Sequence, residues 1–198
     1  MVIGISFVHW LVIASIMISI YGSASYIRDT LRGTTQPNRV SCSMWALAPL
    51  IGTAAALSAG ADPWTTARIF LAGLIPLIVF IASFVNKQSY WKLTGFDILC
   101  GVCSLGAVVV WIFVHQPICA ILLAAIGDGF AALPTIRKAW RHPETESGVI
   151  FIMSLLSVAL VLPSITVFNI QNTAFQIYLV TVNSILIFAI YRKRIFCK

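Results

Sequence analysis

The basic residues of this 198-residue chain are confined almost entirely to every second gap between its apolar segments. Twelve of the thirteen follow the pattern: Arg28, Arg32, Arg39, Lys87, Lys92, Arg137, Lys138, Arg141, Arg192, Lys193, Arg194 and Lys198. The alternate gaps carry only Arg68. Because Lys and Arg accumulate on the cytoplasmic side of membrane proteins, the pattern predicts an N-terminus outside and a C-terminus in the cytoplasm.

Seven apolar segments are long enough to cross a bilayer, since about 20 helical residues span roughly 30 Å of hydrocarbon. They are residues 4–26, 40–60, 65–85, 96–114, 117–136, 148–168 and 174–191. With 60% hydrophobic and 10% charged residues, the chain has too little polar surface for a soluble globule of this length. Strands of a membrane barrel would alternate in polarity, and these uniform segments do not. The sequence therefore predicts an all-α membrane protein of the plasma (inner) membrane, with the lipid bilayer as its surroundings.

The net charge of +7 does not imply a nucleic-acid partner, because basic residues beside helix ends are matched by anionic lipid headgroups. The first apolar stretch is predicted to be a retained span and not a signal peptide. The five cysteines are odd in number and lie mostly in apolar segments, so no disulfide framework is predicted. Cys100 and Cys103 share a helical face but lack further ligands nearby, so we predict neither a metal site nor a cofactor.

A weak internal repeat relates residues 26–32 to residues 135–141 at an offset of 109 (135 − 26), and the same offset brings Met44 onto Met153. It pairs span one with five, two with six and three with seven, and leaves span four as a linker. The prediction is one membrane domain, 1–198, in a 3+1+3 arrangement of two parallel three-helix repeats. The first repeat is 1–86, the linker helix 87–115, and the second repeat with its basic tail 116–198.

Several short motifs lie in these spans and at their ends. They are Ala132-Leu133-Pro134-Thr135 closing span five, the loop Thr35-Gln36-Pro37-Asn38, Pro49 in span two, Pro163 in span six, and the terminal Tyr191-Arg192-Lys193-Arg194. Together with the 3+1+3 pattern, they resemble the SWEET and PQ-loop superfamily of small-solute transporters, as a divergent bacterial-type member. The resemblance implies a seven-helix carrier. It does not imply a sugar substrate, because the family's Pro-Gln dipeptide is absent and offset 109 places Leu74 opposite Asn183.

Asp128 is the only acidic residue deep within a predicted span. An ionised carboxylate at the bilayer centre costs about 2.5–3.5 kcal/mol, so Asp128 is expected to face the bundle interior or to be protonated. One interpretation is a proton- or cation-coupling site, which the resemblance supports, because relatives similar to the lysosomal cystine exporter use an acidic residue in this helix. The other is a protonated Asp128 bonded to Ser19, its counterpart by the repeat. Gly127 and Gly129 would permit close approach of another helix.

Asn183 and Trp45 are the other candidate contacts of a solute. Asn183 lies in the middle of span seven, where a buried amide suits a hydroxylated or zwitterionic solute. An interhelical hydrogen bond is the alternative. Trp45 opens span two, where its ring either stacks on a substrate or anchors the helix at the membrane interface.

Three prolines, Pro49, Pro134 and Pro163, are candidate hinges. Each removes a backbone donor within a predicted span and can bend the helix. Such bends serve as hinges in rocking transporters, whereas proline is also common in membrane helices without that role. For Pro134 we favour the hinge, because it lies in the motif that carries the resemblance.

Enzyme functions lack their partner residues. A membrane aspartyl protease needs two carboxylates in one site, and the sequence predicts none beside Asp128. The last span has no lysine for a retinal Schiff base. The predicted function is therefore alternating-access transport of a small polar solute, with proton coupling through Asp128 left open. The alternative is a receptor or assembly protein on the same scaffold. A homo-oligomer is compatible with the sequence.

Overall fold

The chain folds into seven long α-helices in the computed structural model, which describes residues 7–58, 63–114, 116–164 and 170–196. The helices are α1 (Phe7–Leu31), α2 (Arg39–Ser58), α3 (Pro63–Ala82), α4 (Gly95–Phe113), α5 (Pro117–Arg141), α6 (Val149–Val161) and α7 (Ile170–Phe196). Short 3-10 turns follow α3, α5 and α6 at Lys87–Ser89, Pro143–Thr145 and Leu162–Ser164. No strand occurs in these ranges, which agrees with the all-α prediction. Parts of the predicted outer gaps (59–62, 115 and 165–169) and Cys197 lie outside the described residues.

Four stretches of helix are long and apolar enough to cross a membrane: Trp10–Leu31, Gly95–Phe113, Ile118–Arg141 and Thr173–Arg194. Two shorter apolar stretches are Phe70–Ala82 and Val149–Val161. Large apolar side chains are exposed on the outside of the bundle; on α4 they include Ile98, Leu99, Val102, Leu105, Val109 and Val110. A soluble monomer rarely exposes so much contiguous apolar surface. These features are those of a helical membrane protein.

Helix ends that carry most of the basic residues meet at one end of the bundle, here termed the basic end. Asn38 caps α2 there, because its Oδ1 accepts from two backbone N–H groups in the first turn, at 3.0 and 3.2 Å. Thr94 and Asp97 form a capping box at the start of α4. Gly33 follows α1 with φ 81°, a left-handed conformation that glycine adopts without strain. The loops at this end are therefore determined by local sequence.

The first three helices (α1 to α3) and the last three (α5 to α7) are here termed the two halves. In the first half α3 packs against α1 and α2, and in the second half α7 packs against α5 and α6. Between the halves α1 packs on α6 and α2 on α5, while α4 lies against α5 and α2. Gly127 permits the approach of α4, since an added Cβ would lie 3.1 Å from the Ala107 Cβ. The largest buried apolar cluster lies around α5, α6 and α7 and includes Ala132, Phe151, Val182 and Leu186.

Two of the predicted helix ends are wrong. Helix α5 continues past the predicted span limit of residue 136 to Arg141, with Pro134 inside it, because polar groups in its last turns have buried partners in other segments. Helix α6 ends at Val161, so Pro163 lies in the following 3-10 turn and not within the helix. Pro163 has no N–H to continue the α-helical ladder.

Candidate functional site

The Asp128 carboxyl, about halfway along α5, forms a hydrogen bond to a side chain of another helix. The Tyr178 hydroxyl of α7 donates to Asp128 Oδ2 at 2.5 Å. The Trp45 side chain of α2 lies near the same carboxyl. Both aromatic side chains are neutral, and no Lys, Arg or His in the described ranges forms an ion pair with Asp128. The carboxyl is thus bonded within its own half, with Trp45 of the other half beside it and without a compensating charge.

Of the four predicted site residues, the structure brings Asp128 and Trp45 together. Trp45 is partly buried, packs against the main apolar cluster and lies near the carboxyl. Tyr178 was not predicted. Its only sequence signal is a hydroxyl among apolar neighbours, which does not indicate the helix that it faces.

Ser19 and Asn183 do not join Asp128. Ser19 Oγ donates to Ser157 Oγ on α6 at 2.9 Å, so the predicted bond between Ser19 and Asp128 is wrong. The reason is the packing order: α1 packs on α6, whereas α5 receives α2. Asn183 is buried, and its Nδ2 donates to the Leu179 carbonyl of its own helix at 2.8 Å. Its amide is partly satisfied within α7.

Two of the three candidate hinges lie inside helices. Pro49 is within α2 and Pro134 within α5, the same two helices that contribute Trp45 and Asp128. Pro134 is fully buried, and the next residue, Thr135, donates through Oγ1 to an α2 hydroxyl at 2.8 Å. Pro163 has no helix to bend, because it lies beyond the end of α6.

A second polar cluster lies nearer the basic end and consists of Tyr26, Gln36, Lys138 and Glu146; it is here termed the basic-end cluster. Lys138 Nζ is 2.5 Å from Glu146 Oε1, and these side chains are 1% and 0% exposed. Tyr26 OH donates to Glu146 Oε2 at 2.7 Å, and Lys138 also donates to the Gln36 carbonyl. The cluster therefore connects α1, the loop after it, α5 and the turn after α5.

The basic-end cluster corrects two expectations. Lys138 was grouped with basic residues that face lipid headgroups, and this is wrong, because its ammonium is buried against Glu146. Glu146 is also a buried acid, as is Asp97 in the first turn of α4, and the sequence indicated neither as buried. Glu146 bonds to Tyr26 and Lys138 and shares no hydrogen-bonding partner with Asp128.

Two cavities flank the basic-end cluster. The outer cavity, about 430 Å³, lies at the basic end; its lining includes Asp29, Thr34, Glu146, Ser147, Tyr191 and Lys193. The inner cavity, about 50 Å³, is lined by residues including Tyr26, Asn38, Cys42, Trp45, Pro76 and Thr135. Tyr26 lines the inner cavity and Glu146 the outer one, so their hydrogen bond lies on the boundary between the two. Trp45 in turn connects the inner cavity to Asp128.

Cys100 and Cys103 lie on α4 without further ligands. Within the described ranges, no group of three His, Cys, Asp or Glu side chains is placed to hold a metal ion.

Comparisons with known proteins give no match, whether to a family model, a curated protein or a solved structure.

Proposed function

We propose that this chain is a membrane carrier that moves a small polar solute by alternating access between its two halves. The supporting observation is the Asp128 site. A carboxyl in the middle of a membrane helix is costly and marks a functional site by default. Here Trp45 from the opposite half lies beside it, so relative movement of the halves would change the surroundings of the carboxyl. A solute site between halves that rock against each other requires this property.

The packing supports a seven-span 3+1+3 bundle of the SWEET and PQ-loop type. The contacts of α3 with α1 and α2 are repeated by those of α7 with α5 and α6. Gln36 N donates to the Thr145 carbonyl at 2.9 Å. These two residues are 109 apart (145 − 36), which is the repeat offset, as expected for positions beside a two-fold axis along the membrane normal. We assign the basic end to the cytoplasm.

The hydrogen-bonding partner of Asp128 accommodates both of its protonation states, because a tyrosine hydroxyl can donate or accept. An ionised Asp128 accepts the bond from Tyr178, and a protonated one donates to Tyr178. A proton bound in one state of the carrier and released in the other would couple its movement to that of the solute. A solute ammonium that takes the place of the proton would give a carrier for cations.

Solute flux into proteoliposomes tests the proposal, with amino acids, sugars and nucleosides assayed with and without a pH gradient. We expect one class to accumulate. Asp128→Asn should reduce gradient-driven uptake about tenfold or more while the protein still inserts. Glu144→Gln, the same change at an exposed carboxylate of the outer-cavity lining, is the comparison and should reduce uptake less. Retained solute affinity in Asp128→Asn indicates proton coupling, and lost affinity indicates an ammonium partner. Full gradient-driven uptake would exclude both roles.

The outer cavity favours a second candidate, a receptor that binds from the basic end without transport. Its volume of about 430 Å³ suits a small ligand, whereas the inner cavity of about 50 Å³ has room for only one or two waters. A receptor would show saturable binding from one side and no flux for any solute. The flux assay therefore separates the two candidates.

A further inference from the structure

Among the described residues, Lys138 and Glu146 form the only ion pair with both side chains fully buried. Removing two charges from water is costly, and apolar residues of similar volume would often serve stability as well. The pair therefore calls for an explanation beyond packing. Both residues belong to the second half. Tyr26 and Gln36, which bond to them, belong to the first half.

Three bonds cross between the halves within the cluster or beside it. Tyr26 OH donates to Glu146, and Lys138 donates to the Gln36 carbonyl. Gln36 N donates to the Thr145 carbonyl beside them. Each of these three bonds has a neutral group on the first half, so water can replace it when the halves separate. The charges of Lys138 and Glu146 would remain paired throughout.

The cluster also lies across the route that a solute would take. The outer cavity ends at Glu146 and the inner cavity begins at Tyr26. The side chains of the ion pair are essentially inaccessible, so the described structure leaves no open path between the two cavities there.

We propose that Tyr26, Gln36, Lys138 and Glu146 form a gate at the basic end, closed in this structure, which opens when Tyr26 leaves Glu146 and Gln36 leaves Lys138. The inference rests on the proposed function, because a gate presupposes two halves that move. Lys138 and Glu146 act together as a neutral unit on the second half. Glu146 accepts the hydrogen bond from Tyr26, and Lys138 donates one to the Gln36 carbonyl.

Cys42 is a native reporter for this gate. It is buried and lines the inner cavity together with Tyr26. In the full-length protein, with the other four cysteines replaced by serine, Cys42 is exposed to a membrane-impermeant methanethiosulfonate reagent from the basic side of oriented vesicles. Ser147→Cys in the outer cavity serves as the accessible reference. We expect slow modification at Cys42 and much faster modification at the reference position.

Two variants weaken the gate. Tyr26→Phe and Glu146→Gln each remove or weaken a charge-assisted bond, so Cys42 should react about tenfold faster. Tyr26→Phe keeps the ring that packs edge-on against Phe151 at 6.3 Å, so it preserves the fold if Glu146→Gln does not. The control is Ser147→Ala, which removes another bond between the halves, to Asp29, outside the boundary between the cavities. It should leave the Cys42 rate unchanged.

The outcomes separate the gate from the carrier. An unchanged Cys42 rate in folded Tyr26→Phe overturns the gate, as does wild-type Cys42 labelling as fast as the reference. Faster labelling in the gate variants without any solute flux supports the gate and rejects transport. Flux with unchanged labelling supports transport and rejects this gate.

Discussion

The two halves are joined in different ways at the basic end and at mid-depth. At the basic end, the carboxylate of a buried ion pair accepts a hydrogen bond from a tyrosine hydroxyl, and its ammonium donates one to a backbone carbonyl. A main-chain hydrogen bond also joins two loops there. At mid-depth the Ser19 hydroxyl bonds to Ser157, and Trp45 lies near Asp128. One joint is dense and charged, and the other is sparse and formed by neutral donors.

For the proposed carrier, the difference indicates which contacts oppose relative movement of the two halves most strongly. A hydrogen bond to a charged group contributes about 1.5–3 kcal/mol, compared with about 1 kcal/mol for a neutral pair. The basic end is therefore the stronger joint, and the mid-depth contacts are the ones that rearrange at lower cost. The expected effects of substitution decrease in the same order.

The largest effect is expected at the ion pair. Glu146→Ala leaves the Lys138 ammonium buried and unpaired, which should lower the free energy of unfolding by about 3–5 kcal/mol in denaturant titrations in detergent. The double variant Lys138→Met with Glu146→Leu should recover most of this loss, because it buries no charge. Glu144→Ala, at a side chain 65% exposed, is the control and should change little. A double variant as unstable as Glu146→Ala would contradict the assignment of the loss to the unpaired charge.

A smaller effect is expected at the mid-depth carboxyl. Tyr178→Phe removes the hydroxyl that donates to Asp128, which should lower the free energy of unfolding by about 1.5–3 kcal/mol when the carboxyl is ionised. Tyr21→Phe removes a hydroxyl from a tyrosine that is 65% exposed, and it should have no measurable effect. Equal stability of the two variants would show that the Tyr178 bond contributes nothing.

Pro134 tests whether α5 bends between the two joints. Pro134→Ala restores a backbone donor inside the helix and should slow uptake about fivefold by stiffening it, with normal insertion. Pro163→Ala, beyond the end of α6, is the matched control and should leave uptake unchanged. Unchanged uptake in Pro134→Ala would assign Pro134 to packing alone.

The smallest effect is expected at Ser19 and Ser157. Hydrogen bonds between membrane helices average about 0.6 kcal/mol in double-mutant cycles. We expect a coupling of that size between Ser19→Ala and Ser157→Ala in the same unfolding assay. A coupling above about 2 kcal/mol would make this contact as strong as those at the basic end and remove the contrast between the two regions.

The sequence predicted the features that depend on hydropathy and charge. Long apolar segments predict helices wherever they lie, and a lone acid among apolar residues stands out without any knowledge of its neighbours. Asp128 was identified for this reason. Its link to Trp45 was missed, although both residues were named, because the pairing depends on which helices pack together.

The basic-end cluster was missed for a related reason. From the sequence, a lysine near the end of an apolar segment is expected to face lipid headgroups. In the structure the turn after α5 places Glu146 against Lys138, and the sequence does not show that contact. The pairing of Ser19 with Asp128 by repeat offset failed because the offset relates equivalent positions and not neighbours. Helix ends were misjudged where buried polar contacts extend α5 past Pro134 or where Pro163 ends the ladder of α6.

The main-chain bond from Gln36 N to the Thr145 carbonyl has no reciprocal partner. Thr145 N donates instead to the His142 carbonyl, and the Gln36 carbonyl accepts from Lys138. At the repeat offset, Lys138 corresponds to Asp29. A pair of identical three-helix subunits would have to place two lysines or none at this contact. In the proposed two-repeat arrangement, joining both repeats in one polypeptide lets a single lysine occupy one side, an asymmetry that a homodimer of halves cannot encode.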